Sequence, residues 1–152
     1  LANPEGEVSS HFGAPPYSYR ELKTVPNAHI VIRSTDIVEG GLSQSTLFTT
    51  TKFAEANPKI IQAVLSASQQ AIDYVKAHTR ESVEIYRELS GDKTSADELM
   101  ELLSQPGMMD YTTQPLGSMK FAEHMHKVGI LKTMPAQWTE YFLPESASLN
   151  GN

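Results

Sequence analysis

Two loops hold the residues whose types and spacing could bind a small polar ligand. In the first, His11 and Tyr17 bracket Gly13-Ala14-Pro15-Pro16. A histidine beside such a turn can donate to an anion, and Tyr17 falls in the first turn of the helix that Pro15-Pro16 predicts, near its free N–H groups. The plainer reading is a packed, hydrogen-bonded His11 and a Tyr17 that covers the core. In the second loop, Glu39-Gly40-Gly41-Leu42-Ser43-Gln44-Ser45-Thr46 sets close-approach glycines ahead of neutral donors. Ser43, Gln44 and Ser45 desolvate cheaply, which suits a small anion, although serine and threonine are also ordinary loop residues. Glu39 fits either a ligand amine or a solvated rim.

Other constellations are weaker. Glu123, His124 and His126 suggest a metal site, but positions i and i+2 of a helix point about 200° apart, so the two imidazoles cannot share one ion without a second element. No metal and no cofactor is expected. His29 and His78, at a strand start and a helix end, read as structural or solvent-facing. Trp138, Tyr141 and Phe142 could stack on a ligand, but their i, i+3, i+4 spacing fits docking of a terminal helix. The chain has no G-x-S-x-G, P-loop or G-x-G-x-x-G pattern, so nothing speaks for an enzyme.

The elements that would position these loops are mostly helical. Val8 to Phe12, His29 to Ser34 around Ile30-Val31-Ile32, and Thr46 to Thr50 read as short strands, and Met109 to Thr113 as extended. Tyr17 to Leu22 is a brief helix. Asn57 as N-cap and Pro58 at the first helical position open a helix of about five turns. Its apolar face comprises Ile60, Ile61, Val64, Leu65, Ala71, Ile72 and Val75, with Lys59, Gln62, Gln69, Asp73 and Lys76 left to water. A helix restarting at Thr79 carries Val83, Tyr86 and Leu89 and stops at Gly91. Ser95-Ala96-Asp97-Glu98 is a capping box ahead of Leu99, Met100, Leu102 and Leu103, and Pro106-Gly107 ends that helix. Pro115 opens a helix with Leu116, Met119, Ala122, Met125 and Val128 inward and Gly129 at its stop. Residues 146–152 read as a frayed tail.

Composition bounds the partners. The 152 residues include 39% hydrophobic and 20% charged, with mean hydropathy −0.33, values of an ordinary globular chain long enough for one core. No apolar run approaches the roughly 18 residues that span a bilayer. A net charge of −6 and a pI near 5.3 argue against nucleic acid as a partner. The absence of cysteine rules out disulfides and thiolate chemistry and leaves the redox compartment open.

Taken in order, His11-Phe12-Gly13-Ala14-Pro15-Pro16-Tyr17, Asp36-Ile37-Val38-Glu39-Gly40-Gly41, Thr50-Thr51-Lys52-Phe53 and Asn57-Pro58 resemble the nitrate/sulfonate/taurine group of ABC-transporter substrate-binding proteins. The likeness continues to Pro135-Ala136-Gln137-Trp138 and Tyr141-Phe142-Leu143-Pro144-Glu145. It spans nearly the whole chain, but only about the second half of such a protein. What it implies is an α/β fold: a helix-rich fragment, with a few strands, of a two-lobed type II periplasmic-binding architecture. Residues 1–35 would end the second lobe, 36–50 form a crossover or hinge, 51–145 belong to the first lobe, and 146–152 be a tail.

The function so implied is capture of a small anionic or amphoteric solute, such as nitrate, a sulfonate or taurine, between two closing lobes, with delivery to an ABC permease in the membrane. His11, Gly13, Tyr17, Glu39, Gly40, Gly41, Ser43, Gln44 and Ser45 would line the cleft. The location would be periplasmic or membrane-anchored and extracytoplasmic, with the signal or anchor on the absent N-terminal part. Sensory modules, and pyrimidine-precursor synthases of thiamin biosynthesis, share that scaffold, but the cysteine-rich signature of the latter is missing here. Exposed edges would lead the fragment to self-associate or swap strands, and to bind solute weakly alone.

Overall fold

The computed structural model describes residues 6–38 and 40–152. Seven α-helices follow one another: α1 (Tyr17–Thr24), α2 (Ser34–Ile37), α3 (Thr51–Ala56), α4 (Pro58–Ala77), α5 (Thr79–Ser90), α6 (Ala96–Leu103) and α7 (Ser118–Lys127). Two 3₁₀ turns, Trp138–Tyr141 and Pro144–Ser146, complete the elements. The helices divide between two compact units. Residues 1–33 with 78–110 make the first, and 34–77 with 111–152 the second.

In the first unit α5 and α6 pack as a hairpin around Val83, Ala96 and Leu99, flanked by Met100 and Leu103. Local signals set its limits. Gly91 takes the left-handed conformation (φ 69°) that ends a helix, its N–H bonding Arg87 O, and Ser95 accepts from Glu98 N at 3.2 Å as the N-cap. Arg87 Nε donates to Thr94 O across the turn, while Asp92 receives both Thr94 N and Thr94 Oγ1. Those two bonds hold the Asp92 carboxyl below its usual range. Helix α1 joins through Tyr19, which is buried, and through Lys23, whose Nζ reaches Glu101 Oε2 at 2.6 Å.

In the second unit α4 has the length its capping and periodicity predict, but it buries no side chain. Ile61, Leu65, Ser68, Ile72 and Val75 form a half-buried stripe, while Ile60, Val64 and Ala71 face out. Asn57 plays a double part. Its side chain donates to Phe53 O, closing the unforeseen helix α3, and its carbonyl accepts Ile60 N and Ile61 N at the start of α4. Helix α7 starts at Ser118 rather than Pro115 and buries Ala122.

The expected α/β class is not what the chain forms, because no strand occurs among the described residues. Of the runs at 8–12, 29–34 and 46–50, all is loop or turn except Ser34, which starts the helical turn Ser34–Ile37. A strand is held by its neighbours, since unpaired N–H and C=O groups gain nothing from an extended backbone. These runs have no neighbouring ladder. Phe12, Val31, Leu47 and Phe48 are 102%, 81%, 83% and 90% exposed, so high β-propensity meets no sheet to join. The expected fraying of 146–152 is also corrected. Gly151 packs against Trp138 and Pro115, Asn152 N donates to Pro115 O, and Ser118 Oγ donates to Asn152 O at 2.7 Å.

Candidate functional site

The expected site residues fall into two groups, His11, Gly13 and Tyr17 in the first unit and Gly40 to Ser45 in the second. Glu39 lies outside the described residues.

In the first group the polar capacity is largely taken up. His11 Nε2 stands 2.8 Å from Glu21 Oε2, a carboxylate that would compete with any anionic ligand. Gly13 lies against Ser18, where a Cβ would come within 3.2 Å of Ser18 Cβ. The Pro15–Pro16 peptide is cis, and Tyr17 N and Ser18 N both fold back to Ala14 O at 3.0 and 3.2 Å. These first-turn N–H groups, expected to face an anion, therefore already have a partner. Tyr17 is 69% exposed and covers no core.

The second group builds a staple. Ser43 Oγ donates to Gln114 O and accepts from Leu116 N, both at 3.0 Å, and Ser43 N donates to Leu116 O at 2.9 Å. Gly41 lets this happen. Its φ of +90° suits glycine, and a Cβ there would meet Leu116 Cδ1 at 2.9 Å. The glycines thus serve a close approach of two backbones. Beyond Ser43 the chain runs out into water, with Gln44 and Ser45 exposed.

The loop that Ser43 holds forms one wall of a cleft of about 390 Å³. The other walls are the C-terminal half of α4 and residues 148–150. Lys76 Nζ donates to Tyr111 O at 2.8 Å, and Thr113 Oγ1 donates to Gln69 Oε1 at 3.0 Å while Gln69 Nε2 donates to Asp73 Oδ1. Lys76 is the one charged side chain among the described residues that line the space. None of these residues was singled out from sequence. Gln69 and Lys76 read as the water face of α4, 109–113 as extended, and 146–152 as frayed. The available signal was the seven-residue spacing of Gln69 and Lys76, which sets them on one face two turns apart.

The first unit carries a second charged feature. Lys23 bonds Glu101 and sits 4.7 Å over the Tyr19 ring. The hydrogen bond to Glu101 raises the Lys23 ammonium above its usual range, and the same bond lowers the Glu101 carboxyl. Burial pushes the Tyr19 phenol up. His126 Nδ1, at the end of α7, faces Leu131 O at 2.9 Å.

No helix of the described residues is long and apolar enough to cross a membrane. No protein-family model, curated protein or solved structure matches this chain.

Proposed function

We propose that this chain is part of the solute-binding component of an ABC importer, an extracytoplasmic receptor that captures a small anionic or amphoteric solute and hands it to a membrane permease. The observation that carries the reading is the order of its motifs. His11 to Tyr17, Asp36 to Gly41, Thr50 to Phe53, Asn57-Pro58, Pro135 to Trp138 and Tyr141 to Glu145 recur in the sequence expected of that group. The exposure of Tyr17, Gln44 and Ser45 supports it, because each is accessible to a solute.

The test is a thermal-shift screen of the full receptor this reading implies, against nitrate, bicarbonate, taurine, alkylsulfonates and pyrimidine precursors. A ligand at a hundredfold excess over its Kd stabilises the native state by about 2.7 kcal/mol, which moves the melt by degrees. One clear hit establishes the receptor and names its solute. Silence across the panel sinks the reading.

The unpaired runs support self-association of the chain. From Gly40 to Thr51 there is no charged residue to oppose pairing of two copies, and Leu47 and Phe48 lie open at its centre. Sedimentation should show a concentration-dependent dimer or larger species, and a monomer at every concentration would count against it.

A further inference from the structure

We propose that the cleft between α4, residues 111–114 and residues 148–150 is a binding subsite for a small singly charged oxyanion, of the sulfonate or carboxylate class. Its volume of about 390 Å³ lies within the range of small-molecule sites, at the lower end. Its chemistry is polar and lopsided. One cation, Lys76, is tied across the cleft by Tyr111 O. Around it stand neutral donors. Thr112 Oγ1 accepts from the Gln114 backbone N and so keeps its proton to give, while the hydroxyl of Ser148 and the side-chain amides of Gln114 and Asn150 are donors on the same lining. A single ammonium with several neutral donors is the donor set that pairs with one negative charge spread over two or three oxygens.

The surroundings decide against a doubly charged ligand. The cleft adjoins the C-terminal half of α4, whose terminus carries partial negative charge, and Asp73 stands behind Gln69 at 2.9 Å. Lys76, in the last turn, offsets that field for one charge but not for two. A cation finds no carboxylate among the described lining residues. Ser43, though outside the cleft, positions its wall by holding Gln114 O and Leu116 N.

The inference deepens the receptor reading by naming where an anionic head group sits, and the test can fail separately from it. Methanesulfonate is titrated into this chain and followed by backbone amide chemical shifts, with tetramethylammonium as the control ion. Saturable shifts at Lys76, Thr112, Gln114, Ser148 and Asn150, with millimolar affinity, are expected. Lys76→Gln should weaken binding about tenfold and Lys76→Arg should restore most of it, since one charge-assisted hydrogen bond is at stake. Asn150→Ala should weaken it about threefold. Absence of saturation, shifts elsewhere only, or binding indifferent to Lys76→Gln in a folded protein overturns the proposal. Methanesulfonate binding at the cleft with a silent solute panel would leave the subsite standing and remove the receptor. A solute hit on the receptor without cleft shifts would do the reverse.

Discussion

Helix α4 runs 20 residues without one buried side chain, whereas α6, with 8, buries Ala96, Leu99 and Leu102. Both are amphipathic, and both start where local chemistry says they should. The difference is in what faces them. α6 meets α5 across a turn pinned by Arg87, Asp92 and Thr94, so its apolar side chains are covered on folding. α4 is about 30 Å long at 1.5 Å per residue, yet its neighbours are the short helix α3 at its start and loops along its C-terminal half. A helix of that length can persist largely on its own backbone bonds, but a hydrophobic stripe stabilises only where another surface removes it from water. The comparison separates helix formation, which is local, from core formation, which is not.

The sharpest way to break the comparison is a matched pair of truncations. Leu99→Ala should cost about 2 to 4 kcal/mol, because it opens a cavity in the α5–α6 core. Ile72→Ala on α4 should cost under about 1 kcal/mol, since its side chain is only half covered. Native-state hydrogen exchange of the α5–α6 and α4 amides reads both. Equal losses would mean that α4 has a covering surface.

Next in size, Ser43→Ala should lose about 1 to 2 kcal/mol of local stability by orphaning Leu116 N and Gln114 O. The exchange rate of the Leu116 amide reports it, and an unchanged rate would deny the staple. Ser95→Ala should cost about 1 kcal/mol at the α6 N-terminus, seen as faster exchange of the Glu98 amide.

The smallest effect concerns pH. Because Lys23 depresses the Glu101 carboxyl, that group's contribution is present above the ordinary carboxylate value and is lost as pH falls through its lowered folded value. Lys23 is raised, so its contribution is full below the ordinary lysine value and is lost only as pH rises through its raised folded value. Between those limits the α1–α6 link is intact. Glu101→Gln should therefore lower the melting temperature slightly near neutrality and hardly at all once the pH lies below the lowered folded value of Glu101, where the wild type has lost the interaction. A constant difference at every pH would assign the effect to packing instead.

Legibility of the fold in the sequence followed the range of the forces involved. Asn57-Pro58, Gly91 and Ser95-Ala96-Asp97-Glu98 act within one turn of themselves, and the helices they start or stop are in place. Ile30-Val31-Ile32 and Thr46 to Thr50 announced strands with equal local force, but a strand needs a partner far along the chain, and none is present among the described residues. Of the candidate site, Ser43 was legible as a short polar side chain after two glycines. That its hydroxyl would be spent on Gln114 and Leu116 was not, because they lie over seventy residues away. His11 beside Glu21 could have been suspected only once α1 was known to turn them together.

What the sequence by itself determined is an acidic net charge, the absence of any thiol, the limits of its main helices and the motif order that motivates the receptor proposal. The tertiary structure alone decided that the β-rich runs stay unpaired, that α4 keeps its stripe half open, that the tail folds back to Pro115 and Ser118, and that Lys76 meets Tyr111 across a polar cleft. The physical reason is common to all four. Caps, turns and composition act through neighbours in the chain, while ladder pairing, burial and cleft geometry depend on which distant segments arrive to satisfy each backbone group and each apolar face.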